Sequence, residues 1–282
     1  MRRWHVIGLA VLAALALACQ GTGVARPAPS SGTTSTAGWP SSMAALGDSI
    51  TAGFGSCFAL VACARLSWST GDDTSVDSHY RRIRDVNAKI RDHAHNYAEP
   101  GARTADLNDQ ARSAVAAKAQ YVTVLIGAND ACARQLRDMT PVRTFRGQLD
   151  TALRTLKKGL PKSRVLVVSI PDLYRLWQLG HGNEQAVRAW NLGICPSLLA
   201  NPTSTAAADE RRRRQVADRI DAYDRQLADA CRAYGKRCRW DGGEVHGVRF
   251  SLDLVNHLDY FHPSSEGQAT LARVTWPGRI TW

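Results

Sequence analysis

No apolar run in this 282-residue chain reaches the roughly 20 residues that a bilayer-spanning helix needs. The longest candidate, residues 6–18, follows Met1-Arg2-Arg3 and ends on Ala16-Leu17-Ala18. A charged start, a short apolar stretch and an Ala-x-Ala site predict an export signal over residues 1–18 rather than a membrane anchor. The Gly-x-Ser-x-Gly of a nucleophile elbow is missing around Ser49, which argues against the α/β-hydrolase arrangement. A zinc-ligand set is also missing. His93 and His95 would share one strand face and His181 precedes Glu184, but neither pair has the further ligands that zinc requires, so no metal and no cofactor is expected. The chain shows no internal repeat.

Acidic residues are in deficit, 25 against 36 Lys and Arg, for a formal charge of +11. A basic surface can attract anionic lipid, wall polymer or nucleic acid. The obvious cluster, Arg211 to Arg214, lies among Asp209, Glu210, Asp218 and Asp221, the pattern of a solvated helix face with compensating pairs. No nucleic-acid-binding motif accompanies it, so no nucleic-acid partner is expected.

An apolar content of 44% supplies a substantial core, and one domain is expected. Cys19 follows the predicted cut directly. It is either an ordinary first residue or the lipid-bearing residue of a lipoprotein, in a box where Ala16 stands in the usual leucine position. The other six cysteines are an even number in a chain expected to be exported, which favours disulfides over metal ligation. Residues 19–41 are rich in Ser, Thr, Gly and Pro and read as a tether, leaving residues 42–282 as the domain.

Within that domain, strand-like and helix-like stretches alternate. Met43 to Leu46 is apolar and stops at Gly47, and a helix could open near Ile50. Residues 80–90, 104–119, 144–158 and 206–234 have helical character, with Ser265 and Gln268 as a capping box for a last helix. Residues 94–98, 121–126 and 164–170 read as strands, the last two as β-branched runs typical of buried parallel strands. Such alternation predicts a parallel sheet covered on both faces. Sites in such sheets form at the carboxyl ends of the strands, where Ser49, Gly101 and Asn129 would all fall.

Four short blocks carry chemistry: Gly47-Asp48-Ser49, the stretch Asn96-Tyr97-Ala98-Glu99-Pro100-Gly101, Gly127-Ala128-Asn129-Asp130, and Asp259-Tyr260-Phe261-His262-Pro263. A serine needs a base to attack at neutral pH, and His262 can serve if its other ring nitrogen is held by Asp259 on the same tight turn. In order and spacing the blocks resemble the SGNH, or GDSL-type, hydrolase family. The resemblance implies a flavodoxin-like three-layer α/β/α sandwich with a five-stranded parallel sheet. It also implies a cofactor-independent serine esterase or lipase with Ser49, Asp259 and His262 as catalytic residues. The oxyanion hole would comprise the Ser49 and Gly101 N–H groups and the Asn129 amide, with Asp48 and Asp130 structural.

The chain is most similar to secreted actinobacterial members with paired cysteines after the first block, here Cys57 and Cys63. Cys231 and Cys238 are close enough for a second local staple, which leaves Cys132 with Cys195 as a long-range bridge. The partner expected is an ester substrate, lipid or acylated glycan, acted on by a monomer that is secreted or held at the cell surface through Cys19. Two rivals are an O-acetyl esterase of polysaccharides and a non-catalytic envelope-binding protein. Trp68, Trp177, Trp190 and Tyr260 either line a pocket or fill the core.

Overall fold

The computed structural model describes residues 38–282. The expected export signal, Cys19 and residues 19–37 of the expected tether lie outside the described residues. Five strands run in parallel: β1 (Met43–Gly47), β2 (Ala94–Asn96), β3 (Tyr121–Leu125), β4 (Arg164–Val167) and β5 (Cys238–Trp240), in the order β2-β1-β3-β4-β5. β1 and β3 pair from Met43 with Tyr121 to Gly47 with Leu125, and every residue of both is buried. Burial on both faces explains why these strands are continuous apolar runs rather than alternating ones.

Nine α-helices connect and flank the strands among the described residues: α1 (His79–Val86), α2 (Leu107–Ala116), α3 (Ala128–Ala131), α4 (Val142–Gly159), α5 (Leu173–Gly180), α6 (Glu184–Trp190), α7 (Pro196–Leu199), α8 (Ala207–Tyr234) and α9 (Ser265–Thr275). α2, α4 and α8 pack side by side. α1 and α9 are tied to β3 through buried His79, whose ring bonds Tyr121 Oη and Thr275 Oγ1, both at 2.9 Å. Desolvation drives His79 down to about 3, so it is a neutral core residue. The result is a three-layer α/β/α sandwich with the flavodoxin-like strand order.

Several local expectations change. The backbone after Ser49 forms turns rather than a helix: Asp48 Oδ1 accepts from Ile50 N–H at 3.0 Å, and glycines at 53 and 55 take positive φ, conditions that favour turns over a continuing helix. The cap of α9 is Ser264, which accepts from Gly267 N–H, and Gln268 points inward instead. α8 is one 28-residue helix. Its Arg213 is fully buried over the Trp177 ring at 4.0 Å, while Arg212 donates to the carbonyls of Ser197 and Ala200 where α7 ends. These two arginines are therefore structural, not part of a solvated face. Trp68, Trp177, Trp190 and Tyr260 are all buried in the core. Packing begins slightly before Ser42: Trp39 stacks on Trp276 and Ser41 N–H donates to Gln120.

Disulfides join Cys132 to Cys195 and Cys231 to Cys238. The expected Cys57–Cys63 bridge is not formed, and both residues are thiols. The segment between them is already closed by backbone bonds, Gly55 N–H to Val61 O and Cys63 N–H to Ala52 O, which bring the cysteines together without a covalent link. Burial, reinforced by the neighbouring Cys57 thiol, pushes Cys63 up to about 11.

Candidate active site

β1 ends at Gly47, whose φ of +150° and close neighbours leave no room for a side chain: a Cβ there would lie 2.2 Å from Leu125 O. Gln110 of α2 clamps this residue from both sides. Its Oε1 accepts from Gly47 N–H at 2.7 Å and its Nε2 donates to Gly47 O at 2.9 Å. The next turn is held by side chains remote in sequence. Gln268 donates to Ile50 O at 2.8 Å, and Thr51 O accepts from Asn96 at 2.8 Å and from Ser67 at 2.7 Å. Backbone carbonyls buried in a turn need such partners. The consequence is a rigid seat for Ser49, which is itself 7% exposed.

His262 reaches this seat from the far end of the chain. Its Nε2 is 2.9 Å from Ser49 Oγ and its Nδ1 is 2.6 Å from Asp259 Oδ2. The turn that carries it is built locally. Asp259 Oδ1 accepts from the N–H groups of Phe261 and His262, Asn256 Oδ1 accepts from Leu258 and Asp259, and Asn256 N–H donates to His262 O. Burial opposes ionisation of Asp259, but the His262 side chain and these backbone donors outweigh it and hold the carboxyl below its ordinary range. Phe54 and Phe261 flank the imidazole, with ring centres 4.7 and 5.2 Å away. A serine, a histidine and an ionised carboxylate in this sequence of contacts can pass a proton from the hydroxyl to the imidazole while the carboxylate steadies the imidazolium.

The other two blocks lie on neighbouring segments. Gly101 has φ +87°, and a Cβ there would meet nothing within 4 Å, so its backbone is open to a ligand. Asn129, at the start of α3 after β3, donates one amide hydrogen to Ala102 O at 3.0 Å, which fixes it on the Gly101 segment and leaves the second hydrogen available. The N–H groups of Ser49 and Gly101 make no hydrogen bond among the described residues. Asp130 instead serves the frame: both its oxygens accept from Thr104, at 3.0 and 2.8 Å, and burial raises its pKa. Asp48, fully buried and raised to about 7 chiefly by desolvation, has one oxygen without a partner. Among the described residues, no group of three or more side chains could hold a metal ion. His95 stacks on Tyr97 and His181 on Trp177.

Sequence reasoning missed Gln110, Asn96, Ser67 and Gln268 as supports of the Ser49 turn. Gln268 had a signal, a glutamine near a helix start, but it pointed to a cap. The other three had none, because each partner is a backbone carbonyl or amide at least 16 residues away.

A parallel sheet in this strand order, with Ser49 and Asn129 just past the ends of the neighbouring strands β1 and β3, defines a flavodoxin-like α/β fold whose candidate site lies where the strand order reverses. The sequence matches the GDSL-like lipase/acylhydrolase family over residues 45–270, and the chain belongs to that family of ester-bond hydrolases. Among solved structures it is similar to a protein of Parabacteroides merdae assigned as a GDSL-like lipase, at 15% identity and a TM-score of 0.52 over 83% of this chain and 92% of that one. An extracellular lipase of Streptomyces rimosus aligns at 19% identity and a TM-score of 0.49, over 83% and 97% of the two chains. A phospholipase A1 of Streptomyces albidoflavus aligns at 18% identity and 0.48 over the same shares. At such identities the first likeness supports the fold alone. No curated relative matches the sequence.

Proposed function

We propose that this chain is a serine esterase or lipase that works through an acyl-enzyme on Ser49. His262 takes the Ser49 proton as the hydroxyl attacks the acyl carbonyl, and the alcohol leaves with that proton. Water activated by the same imidazole then releases the acid. Asp259 holds the tautomer and steadies the imidazolium. The Ser49 and Gly101 N–H groups and the free hydrogen of the Asn129 amide receive the oxyanion.

The observation that carries this reading is the unbroken contact from Ser49 Oγ through His262 to Asp259 Oδ2, at 2.9 and 2.6 Å, beside two backbone donors without a hydrogen bond among the described residues. The two disulfides among the described residues and the export-like first 18 residues favour work outside the cell, as a secreted or Cys19-anchored monomer.

The test is hydrolysis of p-nitrophenyl acetate, butyrate and palmitate by the purified protein and by Ser49→Ala. The reading requires turnover that is lost in the variant, with the chain-length profile separating a short-chain esterase from a lipase. Wall binding without turnover would turn the interpretation to a non-catalytic envelope protein.

A further inference from the structure

The segment after Ser49 has an unusual composition. Between Asp48 and Arg65 the chain contains no Asp, Glu, Lys, Arg or His, although 22% of the whole sequence is charged. Its apolar side chains are not all inside. Phe58 is 97% exposed, Val61 53% and Leu60 46%, and Leu258 on the turn that carries Asp259 and His262 is 52% exposed. These are four of the five large exposed apolar residues among the described residues. They belong to the two segments that also supply Ser49 and His262.

The segments are contiguous in space. Gly55 sits against the histidine turn so closely that a Cβ there would fall 2.5 Å from Asn256 Nδ2 and 3.5 Å from His262 Cβ. Between them runs an open groove of about 490 Å³ lined in part by Gly55, Phe58, Val255, Asn256 and Leu258. The projecting loop is shaped rather than loose: Gly55 N–H donates to Val61 O, and Phe58 takes φ +64°, a backbone conformation that bulky residues seldom adopt.

A cluster of exposed apolar side chains around a site marks a surface that another apolar phase covers. The charge pattern says which. At the root of the loop Arg65 is paired with Asp73, and the groove is rimmed by Asp253 and Glu266, so the rim offers an anionic surface no attraction. A loop that carries no charge of its own over residues 49–64 complements a neutral or zwitterionic lipid surface, into whose hydrocarbon edge Phe58, Leu60 and Val61 can insert without desolvating an ion.

We propose that this loop, together with Leu258, docks the enzyme on zwitterionic lipid and so presents aggregated esters to Ser49. The proposal rests on the catalytic reading above and names the substrate class for it: esters of a lipid surface rather than dissolved ones.

The test uses phosphatidylcholine vesicles and the full mature chain carrying Ser49→Ala, so that lipid is not consumed. Its partitioning is compared with that of the same protein bearing Phe58→Ser, Leu60→Ser and Val61→Ser, and with a separate Leu258→Ser variant. Loss of even one buried Phe or Leu from an apolar phase weakens partitioning about tenfold. The triple variant is expected to bind at least that much more weakly, Leu258→Ser to weaken in the same direction, and added salt to leave binding of the parent intact. With Ser49 restored, the triple variant is expected to hydrolyse dissolved p-nitrophenyl acetate at a rate within about twofold of wild type, which also reports that it is folded.

Equal partitioning of parent and triple variant would overturn the proposal. So would binding that salt abolishes, which would assign it to the basic surface, or a dimer in solution that the triple variant dissociates, which would assign the patch to a second copy. If wild type turns over neither dissolved ester nor ester carried in the vesicles while vesicle binding still depends on the loop, the catalytic reading falls and the docking surface stands.

Discussion

Replacing Gln110 with Met tests whether the Ser49 turn is held from outside rather than by its own preferences. Met is close to Gln in length and suits a helix, but it can neither accept from Gly47 N–H nor donate to Gly47 O, the bonds of 2.7 and 2.9 Å made by Gln110. The two losses are unequal. Gly47 O keeps a second donor, Glu99 N–H at 3.2 Å, so losing that bond costs about 1 kcal/mol, whereas the Gly47 N–H is left buried without a partner, at about 1–3 kcal/mol. The sum is about 3 kcal/mol. In a domain of this size that lowers Tm by about 6–12 °C. Thermal and urea unfolding of the disulfide-intact protein measure it, with Gln110→Glu as the companion, because Glu retains the acceptor for Gly47 N–H. A protonated Glu can also donate to Gly47 O and is expected to recover most of the loss, whereas an ionised one can only accept and is expected to recover less, so the recovery is expected to grow as the pH falls. A Gln110→Met shift corresponding to under 1 kcal/mol would refute the argument that this clamp holds the turn.

Further outcomes follow from other contacts. Asn129→Ala removes one proposed oxyanion donor and is expected to lower kcat by about 10²–10³ with little change in KM, measured on a dissolved nitrophenyl ester. The Cys132–Cys195 bridge spans 63 residues, and replacing both cysteines by Ser is expected to cost about 4 kcal/mol on the chain-entropy account, read as a shifted urea midpoint. His246 lies 3.2 Å from Asp224 and 3.5 Å from Asp221; its bond with Asp224 is the main reason that its pKa rises from 6.5 to about 9. A raised histidine stabilises the fold fully below about pH 6.5 and loses that contribution as the pH climbs through about 9. The stability gap between wild type and His246→Gln is therefore expected to be widest in mild acid and to close by pH 9–10 in denaturation curves taken across that range.

The parts of this molecule that could be read in the sequence are those made by neighbours along the chain. β1 and β3 are continuous apolar runs because both faces are buried, and Gly47 marks the place where the chain must turn under Leu125 O. Asp259 and His262 meet within a single turn, so their three-residue spacing carries the geometry. What could not be read depends on distance or on compensation. β5 is three residues, Cys238–Trp240, with a central arginine; it is a strand because β4 offers it an edge, not because of its own pattern. Gln110 reaches Gly47 across 63 residues and Gln268 reaches Ile50 across 218, and no local signal marks a glutamine for such a bond. The helix expected after Ser49 lost to Asp48, which takes the Ile50 N–H with its side chain, and to two glycines in positive φ. The burial of Arg213 was hidden by its neighbours, since four arginines in a row give no sign of which one lies over Trp177.

The central claim is that Ser49 is the nucleophile and that His262 activates it. Brief treatment with a fluorophosphonate, followed by intact mass and peptide mapping, tests both parts. The account predicts one adduct per chain, located on Ser49, with labelling strongly slowed in His262→Ala. Labelling at another residue, or equal rates in wild type and His262→Ala, would contradict it.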